Sequence, residues 1–249
     1  EPLASSEAVL SFEEKEAGVA LIDIGGGTTD LAIFKDGIIR HTAVIPFGGN
    51  VITDDIKEGC SIIEKQAELL KIRFGSAWPG ENRDTEIVSI PGLRGRDPKE
   101  ISLKTLSKII NARVIEIIEQ TFLEIKNYGH NDLKKKLIAG IVLTGGGSQL
   151  KHLKQLVEYI TGMDTRVGYP SEHLAGNTQE SVSSPMFATS VGLLMNALDA
   201  KIINEAEDEV DIGETKISEN EKSSKDVSKK RKSILDRFGE KLKEFLDNA

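Results

Sequence analysis

The chain has 249 residues, 39% hydrophobic and 29% charged, which is enough to bury a core in one or two domains. Its net charge of −8 argues against a general nucleic-acid-binding protein, so we expect no nucleic-acid partner. A single cysteine, Cys60, excludes an internal disulfide and fits a reducing compartment. No apolar run approaches the roughly 20 residues of a membrane-spanning helix. Because the chain does not begin with Met, we expect it to be a piece of a longer protein.

Three strands are the first predicted elements. GVALID, TDLAIF and GIIRHTAVI each have the pattern of a buried or half-buried strand, and Asp36–Gly37 between the last two is a strong hairpin signal. The string DIGGGTTD therefore lies at the tip of a strand–turn–strand. This excludes the dinucleotide-binding fingerprint and the P-loop, which both need a helix directly after their glycines.

The glycine turn between the first two strands is a candidate site. Residues without a Cβ can point successive N–H groups at a phosphate, and the neighbouring threonines add hydroxyl donors. Asp23 could hold a hydrated Mg²⁺ or orient a water, while Asp30 could support it or only stabilise the turn. A lone glycine triplet is more often a plain turn, but the whole string is more specific. The candidate residues are Asp23, Gly25, Gly26, Gly27, Thr28 and Thr29.

A helix is predicted in SIIEKQAELLKIRFGSA, between two glycine-rich stretches. One face carries apolar residues, and another carries Glu68 and Lys71 beside Glu64. Alone, this pattern is typical of a surface helix with an ordinary charge pair. Its position between the glycine-rich stretches favours a role in a site. The apolar face consists of Ile63, Ala67, Leu70 and Phe74.

A second glycine triplet follows a strand predicted at Leu137–Leu143. Its candidate residues lie where this strand would meet a helix that begins near Gln149. Glycines at such a junction suit a phosphate or the flat face of an adenosine, and a tight strand–helix turn is an equally good explanation. The candidates are Gly145, Gly146, Gly147 and Ser148.

The composition changes after about Asn204. Residues 205–228 are acidic, lack aromatics and predict a disordered linker. In residues 229–249 the large apolar side chains fall within an arc of about 120° in a helical projection. The basic segment 229–232 precedes them. We expect this amphipathic helix on an anionic membrane surface, with docking on its own domain or on a partner as the alternative. Its membrane residues are Lys230, Arg231, Ile234, Leu235, Phe238, Leu242, Phe245 and Leu246.

Together these residues resemble the ATPase superfamily of actin, heat-shock chaperones and sugar kinases. Asp23 to Asp30 resemble its second phosphate loop, Thr144 to Ser148 its adenosine loop, and Glu68 with Lys71 its ribose and adenine contacts. GVALIDIGGGTTDLAIF, IPFGGNVITDDI and IVLTGGGSQL resemble, more closely, the second half of the FtsA-like family of bacterial cell-division proteins. That resemblance covers about 1–200, and the terminal segments match the family's membrane-targeting tail in kind.

The resemblance implies an α/β fold, namely a ribonuclease-H-like, actin-like ATPase lobe with a mixed five-stranded sheet and helices. Residues 1–60 and 132–204 would form its core, and residues 61–131 an inserted small α+β subdomain. The disordered linker (205–228) and the amphipathic helix (229–249) would follow.

The resemblance also implies a function. FtsA-like proteins bind ATP and Mg²⁺ between two lobes, polymerise on the inner face of the bacterial cytoplasmic membrane, and tether the division ring at the septum. In this family the small subdomain binds the C-terminal peptide of the tubulin-like FtsZ. The helix around Lys104–Tyr128 would form one wall of the binding groove. Arg113 would pair with that peptide, although a solvated basic residue is as good an explanation. The alternative function is that of a sugar kinase or a chaperone-type ATPase.

The superfamily's first phosphate loop has no counterpart in this sequence, because it belongs to the other lobe. We therefore expect the chain alone to fold, to bind ATP poorly and to be at most a weak ATPase, without an assigned catalytic residue. The four histidines lack metal-ligand spacing, so the only metal expected is Mg²⁺ carried by the nucleotide. YPSEHLAG also matches a family segment, without an independent physical explanation.

Overall fold

The computed structural model describes residues 2–92, 97–129, 137–170 and 182–211. Its helices are α1 (Pro2–Val9), α2 (Phe12–Ala17), α3 (Gly49–Cys60), α4 (Glu64–Phe74), α5 (Leu103–Gly129), α6 (Leu153–Thr161) and α7 (Ala188–Asp211). Its strands are β1 (Val19–Ile24), β2 (Thr29–Lys35), β3 (Ile38–Ile45), β4 (Ile87–Ile90), β5 (Lys99–Ser102), β6 (Ile141–Thr144) and β7 (Thr165–Val167).

Five of the strands form one sheet in the order β3-β2-β1-β6-β7, which confirms the mixed five-stranded sheet that the family resemblance implies. β1, β2 and β3 form an antiparallel meander, while β6 pairs in parallel with both β1 and β7. The predicted hairpin is confirmed, because Asp36 and Gly37 both have positive φ, at 56° and 75°. β4 and β5 form a separate antiparallel pair.

Side chains of the central strands alternate between two apolar layers, as the period of two requires. On one face, Val19 and Leu21 pack with residues of α1 and α7. On the other face, Ala20 and Ile22 pack with the long helix α5 and with α3 and α6. The sheet is therefore covered on both faces, which explains why β1 has no exposed residue.

The chain's first helices are fixed by contacts with distant segments. α1 crosses α7 so closely that a Cβ on Gly192 would overlap the carbonyl of Ala4. Ser11 and Glu14 form a capping box at the start of α2. Arg166 of β7 donates to both carboxylate oxygens of Glu14, at 2.7 Å each. The N-terminal helices are thereby bound to the far edge of the sheet.

Residues of the predicted subdomain 61–131 share one apolar cluster with the sheet. Leu106 and Ile110 of α5 are fully buried in the same cluster as Ile22 and Leu31. Cys60, at the end of α3, is buried as expected, and burial raises the pKa of its thiol. The domain boundaries themselves stay a prediction.

Three element ends differ from the sequence predictions. β6 begins at Ile141 rather than Leu137, and α6 begins at Leu153, because a 3₁₀ turn at Gly146–Gln149 intervenes. α7 continues to Asp211, since the alanine and glutamates that follow Asn204 favour helix once a helix is formed. The membrane residues 230–246 lie outside the described residues. Within the described ranges, no helix is long and apolar enough to cross a bilayer.

Candidate functional site

The two glycine stretches follow β1 and β6 at the same end of the sheet, where both strands have their carboxyl ends. β1 and β6 are parallel neighbours, and Asp23 at the end of β1 pairs with Thr144 at the end of β6. The first glycine loop (Gly25–Thr28) and the second glycine loop (Gly145–Ser148) therefore begin side by side. A Cβ on Gly147 would lie 2.8 Å from Cβ of Ile24, so the second loop packs directly on the end of β1.

The tip of the first glycine loop is bare and exposed. Gly25 closes the turn by donating its N–H to the Thr28 carbonyl at 2.9 Å. The N–H groups of Gly26 and Gly27 make no hydrogen bond among the described residues, and both glycines are exposed. Neither has positive φ, and a Cβ on Gly27 would meet no atom within 4 Å. Neither backbone conformation nor internal packing therefore requires glycine at position 27.

Two glycines of the second loop are required by the protein itself. Gly145 has φ of 79°, and a Cβ there would lie 2.6 Å from the carbonyl oxygen of Ile24. Gly147 is packed against the same residue. Gly146, in contrast, is exposed, and its nearest potential contact is Cγ of Met186 at 4.0 Å. Only Gly146 in this loop resembles the open glycines of the first.

Two buried carboxylates face each other at the strand ends. Asp23 and Asp30 are direct cross-strand partners, each 9% exposed. Thr189 donates to Asp23 at 3.2 Å, and Thr28 donates to Asp30 at 3.1 Å. Carboxylates can hold Mg²⁺ directly or through its bound waters, so this pair suits a magnesium-bearing ligand. Clusters of three or more metal-ligating side chains are absent from the described ranges.

The hydroxyls of three candidate residues already donate inside the protein. Thr29, one of the two predicted donors, is fully buried and donates to the Phe47 carbonyl at 2.8 Å. Thr28, the other predicted donor, is exposed and donates to Asp30. Ser148 is buried and donates to the Gly145 carbonyl at 2.8 Å. A hydroxyl has one hydrogen to donate, so either threonine would have to give up its present acceptor to donate to a ligand.

The start of α3 connects the first glycine loop to α4. Gly49 and Asn50 donate their N–H groups to the carbonyls of Gly25 and Gly26, at 2.9 and 2.8 Å. A Cβ on Gly48 would lie 2.6 Å from the Gly25 carbonyl, so this approach needs a bare backbone. Sequence reasoning missed this role, although the GGN triplet in IPFGGN was its signal.

Lys71 and Glu68 are joined to this junction by hydrogen bonds, and their contact with a nucleotide stays a prediction. The Lys71 ammonium donates to the Gly49 carbonyl at 2.8 Å and to Oγ1 of Thr53 at 2.7 Å, and it pairs with Glu68 at 2.8 Å. An ammonium has three hydrogens, and all three have acceptors here. A ligand could recruit Lys71 only by replacing one of them.

The carboxyl of Glu68 is held ionised. Burial opposes its charge, but hydrogen bonds from Lys71 and Thr53 and the charge of Lys71 outweigh that cost, so the pKa of Glu68 lies below its ordinary value. Thr53, which sequence reasoning also missed, is buried and hydrogen-bonded to Glu68. Glu68 thus anchors Lys71 beside the first glycine loop.

Arg113, predicted to meet a partner peptide, is already paired within the chain. Its guanidinium donates to both oxygens of Asp55, at 2.6 and 3.0 Å, and to Glu116 at 2.6 Å. The hydrogen bond with Asp55 is the main reason that the pKa of Arg113 is raised above its ordinary value. Arg113 is therefore not a merely solvated side chain. It links α5 to α3, and a partner would have to compete with Asp55 or Glu116.

This architecture is the actin-like fold. It is similar to MreB5 of Spiroplasma citri bound to ADP, with a TM-score of 0.65 and 23% identity over 81% of this chain and 60% of that one. It is also similar to the MamK double helical filament, with a TM-score of 0.57 and 16% identity over 79% and 57% of the two chains. The predicted fold class is confirmed.

The family model for the cell division protein FtsA matches residues 20–192, and the chain belongs to this family. It is 42% identical over 194 residues to FtsA of Neisseria meningitidis serogroup B, covering 78% of this chain and 46% of the relative. It is 36% identical over 209 residues to FtsA of Escherichia coli K12, covering 82% and 49%. The chain spans about half the length of the curated relatives it matches.

Proposed function

We propose that this chain binds ATP with Mg²⁺ across its two glycine loops, as the second lobe of a cell-division protein. One observation carries the proposal. Gly27 and Gly146 are exposed glycines at the same end of the sheet, without positive φ and without any atom closer than 4.0 Å to an added Cβ. Because the protein's own packing does not explain glycine there, we attribute it to a ligand that approaches the bare N–H groups.

The remaining site residues fit a magnesium nucleotide. Phosphate oxygens would accept from the N–H groups of Gly26, Gly27 and Gly146. Asp23 would hold Mg²⁺ through a bound water, which lowers the repulsion between its carboxylate and that of Asp30. Lys71 donates to the Gly49 carbonyl, and Gly49 donates to the Gly25 carbonyl of the first loop. Glu68 and Lys71 therefore lie beside that loop, where a ribose or base would meet them. The bound Mg²⁺ would supply charge neutralisation of the phosphates.

Ligand-observed NMR with MgATP tests this proposal directly. We expect the chain alone to bind more weakly than the low micromolar range, and the double variant Gly27→Ala/Gly146→Ala to bind at least about tenfold more weakly still. Ser89→Thr, which adds one methyl group to an exposed position of β4, is the matched control. Equal affinities of the wild type and the double variant would remove both loops from the site.

We further propose that the whole protein polymerises at the septum on the inner face of the bacterial cytoplasmic membrane. Membership of a cell-division family and the likeness to a filament-forming neighbour support self-association. The basic amphipathic sequence 229–249 supports a peripheral membrane attachment. An anionic surface would attract its basic segment while the apolar stripe enters the headgroup region.

Flotation with anionic liposomes tests the membrane part. Phe238→Glu/Leu242→Glu should abolish flotation by placing two charges on the apolar stripe. The control variant Ser233→Glu/Asn248→Glu adds two glutamates outside the apolar stripe and should retain most of the flotation. If the stripe variant still floats, the tail is not the attachment.

We propose, thirdly, that α5 binds the acidic C-terminal peptide of FtsZ through Arg113. The peptide carboxylate would replace Glu116 on the guanidinium, while Asp55 keeps the bidentate pair. Fluorescence anisotropy with a labelled peptide tests the contact. Arg113→Gln should weaken binding at least about tenfold, whereas Lys126→Gln, with the same charge change on the same helix, should have little effect. Equal losses would reduce the interaction to net charge.

A further inference from the structure

His152 has a backbone conformation that histidine rarely adopts. Its φ of 62° lies in the left-handed region, where a non-glycine residue costs about 1 kcal/mol or more. In the described part of the chain only Asp36 and Ser61 share this property among non-glycine residues. Asp36 lies in a hairpin turn and Ser61 ends α3, which are ordinary places for it. His152 is the N-cap residue of α6, but its side chain makes no capping hydrogen bond and instead contacts another segment.

That contact is with Ser76, a residue that is 1% exposed. Nδ1 of His152 and Oγ of Ser76 lie 2.9 Å apart, in a hydrogen bond whose donor depends on the imidazole tautomer. The backbones are joined beside it, because Ser76 forms a parallel bridge with Lys151 and Ala77 donates to the Lys151 carbonyl at 2.8 Å. The side-chain bond therefore reinforces a short pairing between two segments distant in sequence.

The same segment is held from behind by α5. Ser107 donates to the Ser76 carbonyl at 2.8 Å, and Asn111 donates to the Ala77 carbonyl at 2.7 Å. Both donors come from one helix and are spaced one turn apart. Ser76 and Ala77 thus lie between α5 on one side and residues 151–152 on the other.

The pairing reaches the second glycine loop through a single turn. Leu150 donates to the Gly147 carbonyl at 3.1 Å, and a Cβ on Gly75 would lie 2.8 Å from Cδ1 of Leu150. Lys151 follows directly. A shift of Lys151 against Ser76 would therefore move Gly147 and the exposed N–H of Gly146.

We infer that His152 is a positioning residue of the nucleotide site, which sets the second glycine loop against α5 through Ser76. This inference rests on the proposed function, because the loop's ligand is the proposed nucleotide. The cost of the left-handed histidine is offset by a fixed place for the loop. A ligand then meets N–H groups that are already oriented, which strengthens binding.

Three substitutions at His152 separate the contact from the backbone strain. His152→Gly removes both the imidazole and the strain. His152→Asn suits the left-handed region, and its side-chain oxygen and nitrogen branch from Cγ as Nδ1 of histidine does, so it can restore the bond to Ser76. His152→Ala loses the contact and keeps the strain. We expect the glycine variant to be as stable as the wild type but to bind MgATP at least about fivefold more weakly, with the asparagine variant close to wild type.

Amide hydrogen exchange without nucleotide gives an independent readout. In the glycine variant the amides of Ala77, Ser148 and Leu150 should exchange at least about tenfold faster than in the wild type and the asparagine variant. Ser76→Ala removes the same bond from the other side and should reproduce this result even where a His152 variant folds poorly. Unchanged exchange in both variants would overturn the positioning role. If the variants exchange faster but the wild type binds no MgATP, His152 still positions the second glycine loop, and the proposed nucleotide ligand is rejected.

Discussion

The two glycine loops are nearly identical in sequence and differ in what each glycine does. In the first loop, a Cβ added at Gly27 would point into open space, and the Gly27 N–H has no partner among the described residues. In the second, Gly145 is in a left-handed conformation and touches the end of β1. Internal packing does not require glycine at position 27 of the first loop, whereas the second loop needs glycine at position 145 to fit beside β1. A triplet of glycines in a sequence therefore does not by itself mark a binding surface.

The largest expected effect is on folding, at the second loop. Gly145→Ala should lower the free energy of unfolding by about 3 kcal/mol, because the added Cβ combines a positive φ with overlap at Ile24. Urea titration followed by circular dichroism measures it. A loss below about 1 kcal/mol would mean that the loop relaxes freely, and the distinction between the loops would disappear.

The hydroxyls give the next largest effect. Thr29→Val and Ser148→Ala should each cost about 1 kcal/mol, since each removes a hydrogen bond made by a buried hydroxyl. Thr28→Ser, which keeps the hydroxyl that donates to Asp30 and loses one methyl group at an exposed position, is the control and should cost less than about 0.5 kcal/mol. If Thr29→Val weakens MgATP binding without changing stability, its hydroxyl serves the ligand after all.

A smaller effect concerns pH. The folded pKa of Glu68 is lowered, so its ionised form contributes stability above the ordinary glutamate pKa of about 4.3, and the contribution is lost as pH falls through the folded value. Because the side chain is 42% exposed, the contribution should stay below about 1 kcal/mol. The wild type should be more stable than Glu68→Gln near neutral pH, and urea titrations in acid should show the gap closing. A gap that widens in acid would reverse the assigned direction.

The smallest effect belongs to the first loop. Gly27→Ala should change the free energy of unfolding by less than about 0.5 kcal/mol, because its Cβ meets no neighbour. Paired thermal melts of this variant and Gly145→Ala compare the loops in one experiment. Comparable destabilisation by the two would show that the first glycine is also structural.

Local sequence was sufficient for the elements that depend on neighbouring residues. The hairpin at Asp36–Gly37 and the buried strand β1 follow from turn preference and from a short apolar run, and both are confirmed. The family resemblance added the fold class and linked the two glycine loops. The delayed start of α6 was not predictable locally, because Lys151 pairs with Ser76, which lies far away in sequence. Likewise, the pairing of Arg113 with Asp55 and the internal use of Thr29 depend on tertiary partners.

The crossing of α1 and α7 has a consequence for synthesis on the ribosome. Ala4 emerges early, but the helix that covers it, with Gly192 at the crossing, is translated near the end of the described chain. At ordinary elongation speeds that interval lasts on the order of 10–40 s. During that time Ala8 and Val9 lack the residues of α7, such as Val191, that pack against them in the folded protein. The segment around α1 must therefore be shielded, or must wait, until α7 leaves the exit tunnel.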